Sequence, residues 1–355
     1  MFKWSWRFRI MSDLRINNIT NRTGGSGPVI AGVSTVTGTG AFTVPVGPTE
    51  MRGGRGRGVV GGGNNPAINS LEYVTIATTG NSIDFGDLIP AGWGPGSGMA
   101  SPTRGIFAGG YKNSPAATFY NTIQYVTISS NGGASDFGDL IDGNYRPPGL
   151  SDSTRGILGG GYTNNPANWT KINKMQYITI ASTGNSSEFG ELTAPNLVNA
   201  GGCASPTRGL FGGGVVNSVY SKMIEYITIQ SKGNAQEFGN LTLAREEPAA
   251  ASSTTRAVWG GGAIPGSVLD NIDYVTIASL GNATDFGNLA QIKRALSATS
   301  NMVRGIFTGG WAPSSNKNTI DFITIASTGN ATDFGDLITA RRDSAACSDA
   351  HGGLG

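Results

Sequence analysis

Residues 322–337 read FITIASTGNATDFGDL, and close copies of this stretch recur along the chain. Each copy opens on an aromatic residue, and a phenylalanine follows twelve positions later without exception. The six pairs are Tyr73 and Phe85, Tyr125 and Phe137, Tyr177 and Phe189, Tyr226 and Phe238, Tyr274 and Phe286, and Phe322 and Phe334. This unvarying spacing indicates six copies of one structural unit.

Within each copy the residue pattern predicts two strands joined by a tight turn. Apolar residues alternate with threonine in segments such as residues 124–128, QYVTI, which is typical of a half-buried strand. Sequences of the type Thr-Gly-Asn, as at residues 183–185, tolerate the positive φ angles of a tight hairpin turn. The second strand then carries the phenylalanine, between an acidic residue and a glycine, as in residues 285–289, DFGNL.

Two further strands are predicted in each copy. Upstream, an arginine precedes glycine or alanine, two apolar residues, a small residue and a glycine pair, and it recurs at Arg57, Arg104, Arg155, Arg208, Arg256 and Arg304. Downstream lie stretches of small residues, such as residues 294–300, RALSATS, which suit the crowded inner strands of a β-propeller. Four strands in each of six copies predict an all-β, six-bladed β-propeller over residues 51–355.

The two ends of the repeat array predict how the ring closes. Residues 342–348 match an inner strand but follow the last copy, whereas the first copy, at residues 57–88, lacks an inner strand of its own. We therefore predict that the C-terminal strand completes the first blade, which removes the exposed edges of an open array. On this register Cys203 and Cys347 lie three blades apart, too far to form a disulfide.

The order of these segments resembles the Kelch repeat over roughly residues 52–355, with phenylalanine where Kelch repeats usually have tryptophan. The stretch at residues 322–337 is also similar to repeats in virion structural proteins of marine cyanophages and related tailed phages. Residues 16–24 and 27–33 are similar to leader segments of such proteins. This resemblance implies a component of the virion, of the tail-fibre or appendage type, and it implies no catalytic residue.

Residues 1–50 form an N-terminal arm outside the repeat, and translation starting at Met1 or at Met11 is compatible with its sequence. The arm is rich in Thr, Val, Gly and Asn and is too short to bury a core of its own. Two interpretations stay open. The arm is either a lead-in that lies along the propeller or an anchor that orders against another virion protein, for example by strand addition.

Composition argues against several classes of partner. The net charge is +2 and only 14% of the residues are charged, so the concentrated basic face of a nucleic-acid-binding protein is not expected. No run of about 18 apolar residues predicts a membrane span. Two cysteines and a single histidine, His351, make no zinc pattern, and we predict neither a metal nor a cofactor.

The recurring polar residues do not predict an enzyme. Carboxylates precede the phenylalanines at Asp84, Asp136, Glu188, Glu237, Asp285 and Asp333. A glycosidase pair needs two environments that separate its pKa values, whereas equivalent positions of a repeat share one environment, so we assign these carboxylates turn or arginine-pairing roles. For the six repeat arginines we expect carboxylate or carbonyl partners, and the alternative is a ring that binds an anion.

Binding residues are predicted in the loops that differ between copies, on one face of the propeller. The candidates are Trp93, Tyr111, Phe119, Tyr120, Tyr145, Tyr162, Trp169, Tyr220 and Trp311. Aromatic side chains on variable loops suit sugars or protein surfaces, although the same rings could pack down as loop anchors.

Together with this binding surface, the resemblance to tailed-phage proteins implies a virion structural protein. Its arm docks on other particle proteins, its loops contact a neighbouring subunit or a host glycan or protein, and a homo-oligomer in the particle is compatible with this role. The alternatives are an intracellular Kelch-type interaction scaffold and an enzyme acting on polysaccharide.

Overall fold

The computed structural model describes residues 56–64, 67–89, 96–112, 118–164, 169–193 and 197–354. The predictions made for the N-terminal arm and for Trp93 lie outside these residues. Within them the fold is all-β, and most strands belong to six antiparallel sheets of four strands each. This confirms the predicted all-β fold of four-stranded units, an arrangement consistent with a propeller-like architecture.

We name the sheets A to F and number the strands of each from the one made of small residues. Sheet A contains Ala345–Ser348, Arg57–Gly63, Ile68–Thr75 and Ile83–Asp87. Sheet B contains Ser97–Ala100, Arg104–Lys112, Thr118–Thr127 and Ser135–Asp139. Sheet C contains Gly149–Ser151, Arg155–Gly159, Lys174–Thr179 and Ser187–Glu191.

The remaining sheets follow the same order. Sheet D contains Gly201–Ala204, Arg208–Gly212, Met223–Thr228 and Gln236–Asn240. Sheet E contains Ala249–Ser252, Arg256–Gly260, Asn271–Thr276 and Thr284–Asn288. Sheet F contains Ser297–Ser300, Arg304–Thr308, Thr319–Thr324 and Thr332–Asp336. A short 3-10 helix, Gly352–Leu354, follows the last strand.

The two ends of the described chain meet in sheet A. Strand Ala345–Ser348 pairs antiparallel with Arg57–Gly63, and Val59 lies opposite Cys347. The predicted pairing of the C-terminal strand with the first repeat is therefore present, although the strand begins at Ala345 rather than at Arg342. Both Cys203 and Cys347 are buried and form no disulfide.

The hydrophobic core lies between neighbouring sheets. In the cluster between sheets D and E, for example, Leu210 and Phe238 pack with Trp259 and Val275, and all four are buried. The first strands of successive sheets also contact each other, as Ala249–Ser252 does with Gly201–Ala204 on one side and Ser297–Ser300 on the other. Small residues suit this strand because its neighbours approach closely on both sides.

The repeat arginines join each sheet to the next. Arg256 of sheet E lies over the ring of Tyr274 at 4.5 Å and donates hydrogen bonds to the carbonyl oxygens of Ile325 and Ala326 in sheet F, at 3.2 and 2.8 Å. The equivalent Arg304 of sheet F donates to the Ile76 and Ala77 carbonyl oxygens, so it reaches sheet A. Carbonyl pairing, one of the partners expected for these arginines, is confirmed, and it directs one guanidinium nitrogen of each arginine to the neighbouring sheet.

The Phe-Gly motif is a second contact between neighbouring sheets. The amide of Gly329 in the turn of sheet F donates to the Phe286 carbonyl of sheet E at 2.7 Å, and the Asn330 side chain accepts a hydrogen bond from the Asn288 amide at 3.1 Å. Gly287 has a φ of 144°, and a Cβ there would lie 2.4 Å from the Gly329 carbonyl oxygen. The backbone of the Phe-Gly motif in one sheet therefore contacts the backbone of the turn in the next sheet.

Candidate binding face

Short hairpins join the second and third strands of sheets D, E and F. Their strand pairs are Val215–Val216 with Val219–Tyr220, Ala263–Ile264 with Ser267–Val268, and Trp311–Ala312 with Ser315–Asn316. Each pair is joined by a two-residue turn in which at least one residue has positive φ, such as Asn217 and Ser218 in sheet D. The hairpins are alike in backbone and differ in side chains.

Each hairpin lies against the segment that leads into the first strand of its own sheet, and we call such a segment a link. Val215 pairs with Val198, Ala263 with Glu246 and Trp311 with Arg294, each by an isolated antiparallel bridge. The hairpins and the links therefore share one surface, which we call the hairpin face. Side chains from both kinds of segment come together there, although they are far apart in the repeat.

Sheets B and C carry a larger version of this structure. The strands Arg104–Lys112 and Thr118–Thr127 of sheet B extend past the core, and a separate three-stranded sheet of Asn144–Tyr145, Tyr162–Thr163 and Thr170–Lys171 lies beside them. Longer hairpins need their own apolar contacts to stay ordered, because they project beyond the core.

Five of the predicted binding residues supply those contacts, and we call them the aromatic cluster: Tyr111, Phe119, Tyr145, Tyr162 and Trp169. Ring centroids lie 4.9 Å apart between Tyr111 and Tyr145 and 5.1 Å apart between Phe119 and Trp169. Tyr111, Phe119 and Tyr145 are buried, and burial raises the pKa of Tyr145 to about 12. These three rings are therefore packed against one another and largely withdrawn from solvent.

Trp169 is the exposed member of the aromatic cluster. Its side chain is 46% exposed, and its φ of 67° is uncommon for a bulky residue. Contacts with Tyr111 at 5.0 Å and Tyr162 at 5.5 Å hold the indole against the cluster. The ring therefore closes the cluster from the solvent side and leaves one surface free.

The other predicted residues lie elsewhere. Tyr120 is half-buried and packs against the core between sheets A and B. Tyr220 and Trp311 line a groove over the hairpin of sheet E, which we call the sheet E groove, with a volume of about 400 Å³. Of the eight described candidates, five thus lie in a filled cluster, two line an open groove and Tyr120 packs against the core between sheets A and B.

Polar groups order the walls of the sheet E groove. The Tyr220 hydroxyl donates a hydrogen bond to Glu246 Oε1 at 3.2 Å. The Arg294 guanidinium lies 4.8 Å from the centre of the Trp311 ring and 3.6 Å from the same Glu246 oxygen. Sequence analysis did not single out Glu246 or Arg294, because both lie in the links rather than in the hairpins.

A further set of residues, not predicted from the sequence, lies just before the first strands of sheets A and C–F. We call it the link cluster. Its members share a positive φ between 52° and 59°: Arg146, Asn199, Glu247, Ala295 and Asp343. They line a cavity of about 100 Å³, and the amides of Glu247, Ala295 and Asp343 each donate to the carbonyl of the preceding member, as from Asp343 to Ala295 at 2.9 Å.

The charged side chains of the link cluster form ion pairs with one another and with arginines beside the cluster. The Arg146 guanidinium forms ion pairs with Glu247 and with Asp343. Desolvation lowers the pKa of Arg146, but the two carboxylates more than offset it, so that its pKa lies well above the usual value. Outside the cluster, Arg294 lies 3.7 Å from Glu247 and Arg342 lies 3.9 Å from Asp343, so both carboxylates have cationic neighbours and the cluster holds the links together.

Three buried ion pairs fix the links to the third strands. They are Arg245 with Asp273 at 3.0 Å, Lys293 with Asp321 at 2.9 Å, and Arg341 with Glu72. Desolvation lowers the pKa of Arg245, of Lys293 and of Arg341, in each case opposed by the carboxylate partner. A signal was present in the sequence, since a basic residue lies 28 positions before the acidic residue in two of the three pairs.

The recurring carboxylates beside the phenylalanines are exposed on the fourth strands. Glu188, for example, lies 3.9 Å from the exposed Lys174. The repeat arginines bind carbonyl groups instead, so the predicted arginine pairing is not what these carboxylates do. In the described ranges no group of three or more His, Cys, Asp and Glu side chains could hold a metal ion.

The histidine, His351, lies within hydrogen-bonding distance of a serine, Ser151. His351 Nε2 lies 3.2 Å from Ser151 Oγ and 3.1 Å from the Ala100 carbonyl oxygen. The Gly353 amide donates to His351 Nδ1 at 3.1 Å, so the proton of a neutral ring is on Nε2, directed at Ser151 and Ala100. In this tautomer the ring donates to the serine and does not act as its base.

Comparison with protein-family models and with curated proteins finds no match to this chain. Among the described residues there is no helix long and apolar enough to cross a membrane.

Proposed function

We propose that the six sheets are the blades of one closed, Kelch-like β-propeller, and that this propeller is a binding module of a phage particle. Closure is supported by contacts that run from sheet F to sheet A in the same form as between other neighbours. Arg304 donates to the Ile76 carbonyl, and the Gly80 amide donates to the Phe334 carbonyl at 2.8 Å. Strand Ala345–Ser348 then completes sheet A from the other end of the chain.

A central cavity supports the same proposal. It has a volume of about 50 Å³ and is lined by the first strands of all six sheets, through residues that include Met99, Leu150, Cys203, Ala251, Thr299 and Cys347. Six strands that surround one cavity are what a ring of blades would produce.

A binding role, rather than catalysis, is carried by one observation. The side chains that recur in every repeat are used in contacts between sheets, as Arg256 and Gly287 are, whereas the side chains that differ are gathered on the hairpin face. Variable side chains on a constant scaffold are typical of recognition surfaces.

The particle assignment rests on the resemblance of residues 322–337, 16–24 and 27–33 to virion structural proteins of tailed phages. In this proposal the chain is a tail-fibre or appendage protein of the virion. Residues 1–50 dock it on other virion proteins, and the hairpin face contacts a host glycan or protein. Repeated copies in the particle would present several such faces.

The test uses purified particles of the phage that encodes the chain. Antibody raised against the full chain is expected to label an appendage in electron microscopy, and deletion of residues 1–50 is expected to remove the chain from particles. Detection only in the cytoplasm of infected cells would favour an intracellular Kelch-type scaffold. Degradation of host polysaccharide that is lost in Asp285→Asn would overturn the non-enzymatic role.

A further inference from the structure

We propose that the sheet E groove is a saccharide-binding site, with Tyr220 and Trp311 as its aromatic walls and Arg294 as its hydrogen-bond donor. The inference rests on the proposed binding function of the hairpin face and specifies one ligand class and one location for it.

The groove exists because three hairpins of equal length carry side chains of unequal size. At the first position of the hairpin, sheets D, E and F carry Val215, Ala263 and Trp311, and at the last position they carry Tyr220, Val268 and Asn316. The middle hairpin therefore has the smallest pair, and a large ring from each neighbour lines the space above it. Its turn residues, Pro265 and Gly266, are exposed and leave that space open.

The walls combine apolar faces with fixed polar groups. Tyr220 and Trp311 present rings that can pack on the C–H face of a pyranose. Arg294 lines the groove and offers guanidinium donors, which suit the acceptor oxygens of sugar hydroxyls. Because Glu246 accepts from Tyr220 at 3.2 Å and lies 3.6 Å from Arg294, these side chains are ordered before a ligand arrives.

Size and charge favour a saccharide over a charged ligand. A volume of about 400 Å³ lies in the usual range of small-ligand sites, about 300–1,000 Å³. The charge of Arg294 is compensated by Glu246 at 3.6 Å and by Glu247 at 3.7 Å, so the groove has no unpaired charge to attract an ion. The aromatic cluster of sheets B and C offers no comparable space, since its own rings fill it.

The experiment measures binding of defined sugars to the full chain. The probes are methyl glycosides of glucose, galactose, mannose and N-acetylglucosamine, with saturation-transfer NMR on the sugars and the indole N–H resonance of Trp311 as the two signals. At least one probe is expected to bind saturably and to shift that resonance.

Variants locate the site. Trp311→Ala removes one wall, and Ser267→Trp fills the groove without removing a wall, so both are expected to weaken binding at least tenfold. Tyr220→Phe keeps the ring and loses only the bond to Glu246, and a two- to threefold loss is expected. The control is Leu280→Ala, at an exposed residue in the turn between the third and fourth strands of sheet E, which should stay within twofold of the unmodified chain, and thermal unfolding confirms that each variant is folded.

Saturable binding of none of the four probes, or equal binding by Trp311→Ala and the unmodified chain, would overturn the inference. These results are separable from failure of the proposed function. Particles that contain the chain but bind no saccharide contradict the groove alone. Saccharide binding by a chain that is absent from particles leaves the groove intact and contradicts the virion role.

Discussion

Residues at the contacts between sheets are the same in every copy of the repeat, whereas residues on the hairpin face differ from one sheet to the next. The arginine that donates to the next sheet, such as Arg256, and the glycine that lies under the next turn, such as Gly287, are the same in all six copies. On the hairpin face one position holds Val215, Ala263 or Trp311. Equivalent positions that share one environment keep the same residue type. The positions that vary are therefore those where the surroundings differ between copies.

One buried position of the third strands also varies between sheets, and each residue there bonds to the link in its own way. In sheet B the amide of Gln124 both accepts from the Ile89 amide at 2.6 Å and donates to the Ile89 carbonyl at 3.1 Å. In sheet F this position is Asp321, whose carboxylate only accepts hydrogen bonds and needs a cation, here Lys293. The link and the third strand are thus joined in two chemically different ways.

Breaking one ion pair is expected to have the largest effect on stability. Lys293→Met leaves the Asp321 carboxylate buried without its cation, which should lower the free energy of unfolding by about 3–5 kcal/mol. The double replacement Lys293→Met with Asp321→Leu should recover most of that loss. Urea unfolding provides the measurement.

The matched control is Lys174→Met, which removes an exposed lysine and should change stability by less than about 0.5 kcal/mol. If Lys293→Met cost no more than Lys174→Met, the buried pair would not be holding the link.

The glycine beneath the neighbouring turn gives the next largest effect. In Gly287→Ala the new Cβ would lie 2.4 Å from the Gly329 carbonyl oxygen, at a φ of 144°, so we expect a loss of about 3 kcal/mol. Gly132→Ala is the control, because a Cβ there meets nothing within 4 Å. Equal unfolding midpoints for the two variants would argue against the backbone contact as the reason for the motif.

The histidine near the chain end predicts a pH dependence. Desolvation of its half-buried ring lowers the pKa of His351 to about 4, against about 6.5 in the unfolded chain. Between these values the unfolded state binds a proton that the folded state does not. Stability should therefore fall as the pH falls from 7 to 4, by about 2–3 kcal/mol from this residue.

Comparison with His351→Gln isolates that contribution, since the amide can still donate to Ser151 or to the Ala100 carbonyl. The difference in unfolding free energy between the two proteins should change with pH over this range. A difference that is constant from pH 7 to pH 4 would show that the ring titrates normally in the folded state.

The smallest effect is expected on the hairpin face. Val219 is 67% exposed at a hairpin of sheet D, so Val219→Thr should change the free energy of unfolding by less than about 0.5 kcal/mol. A loss above about 1 kcal/mol would mean that the hairpins are part of the framework.

Much of the fold was predictable because the third strands show a period-two pattern and every copy keeps the same twelve-residue spacing between its aromatic residues. The pairing of the C-terminal strand with Arg57–Gly63 followed from counting inner strands. The ion pair of Lys293 with Asp321 was missed, since it depends on how a link lies against the third strand. Its signal, a 28-residue separation shared with Arg245 and Asp273, becomes visible only once the copies are compared position by position.

The division of the aromatic residues could not be predicted from the sequence. Tyr111 and Trp311 both lie in variable loops, yet one is buried among other rings and the other lines a groove. The outcome depends on the size of the neighbouring hairpin, which is long beside Tyr111 and carries small side chains beside Trp311. Neighbours in space, rather than in sequence, decided which rings remained open.

Closure of the proposed propeller is tested most directly by a cross-link between the two ends of the repeat array. In a Cys203→Ser background, Val59→Cys places a thiol opposite Cys347, and mild oxidation with diamide should form an intramolecular disulfide, seen by mass spectrometry as the loss of two hydrogens. Val258→Cys, at the equivalent place in sheet E, should not react with Cys347. A folded Val59→Cys variant that forms no disulfide, or a Val258→Cys variant that forms it equally well, would contradict closure through sheet A.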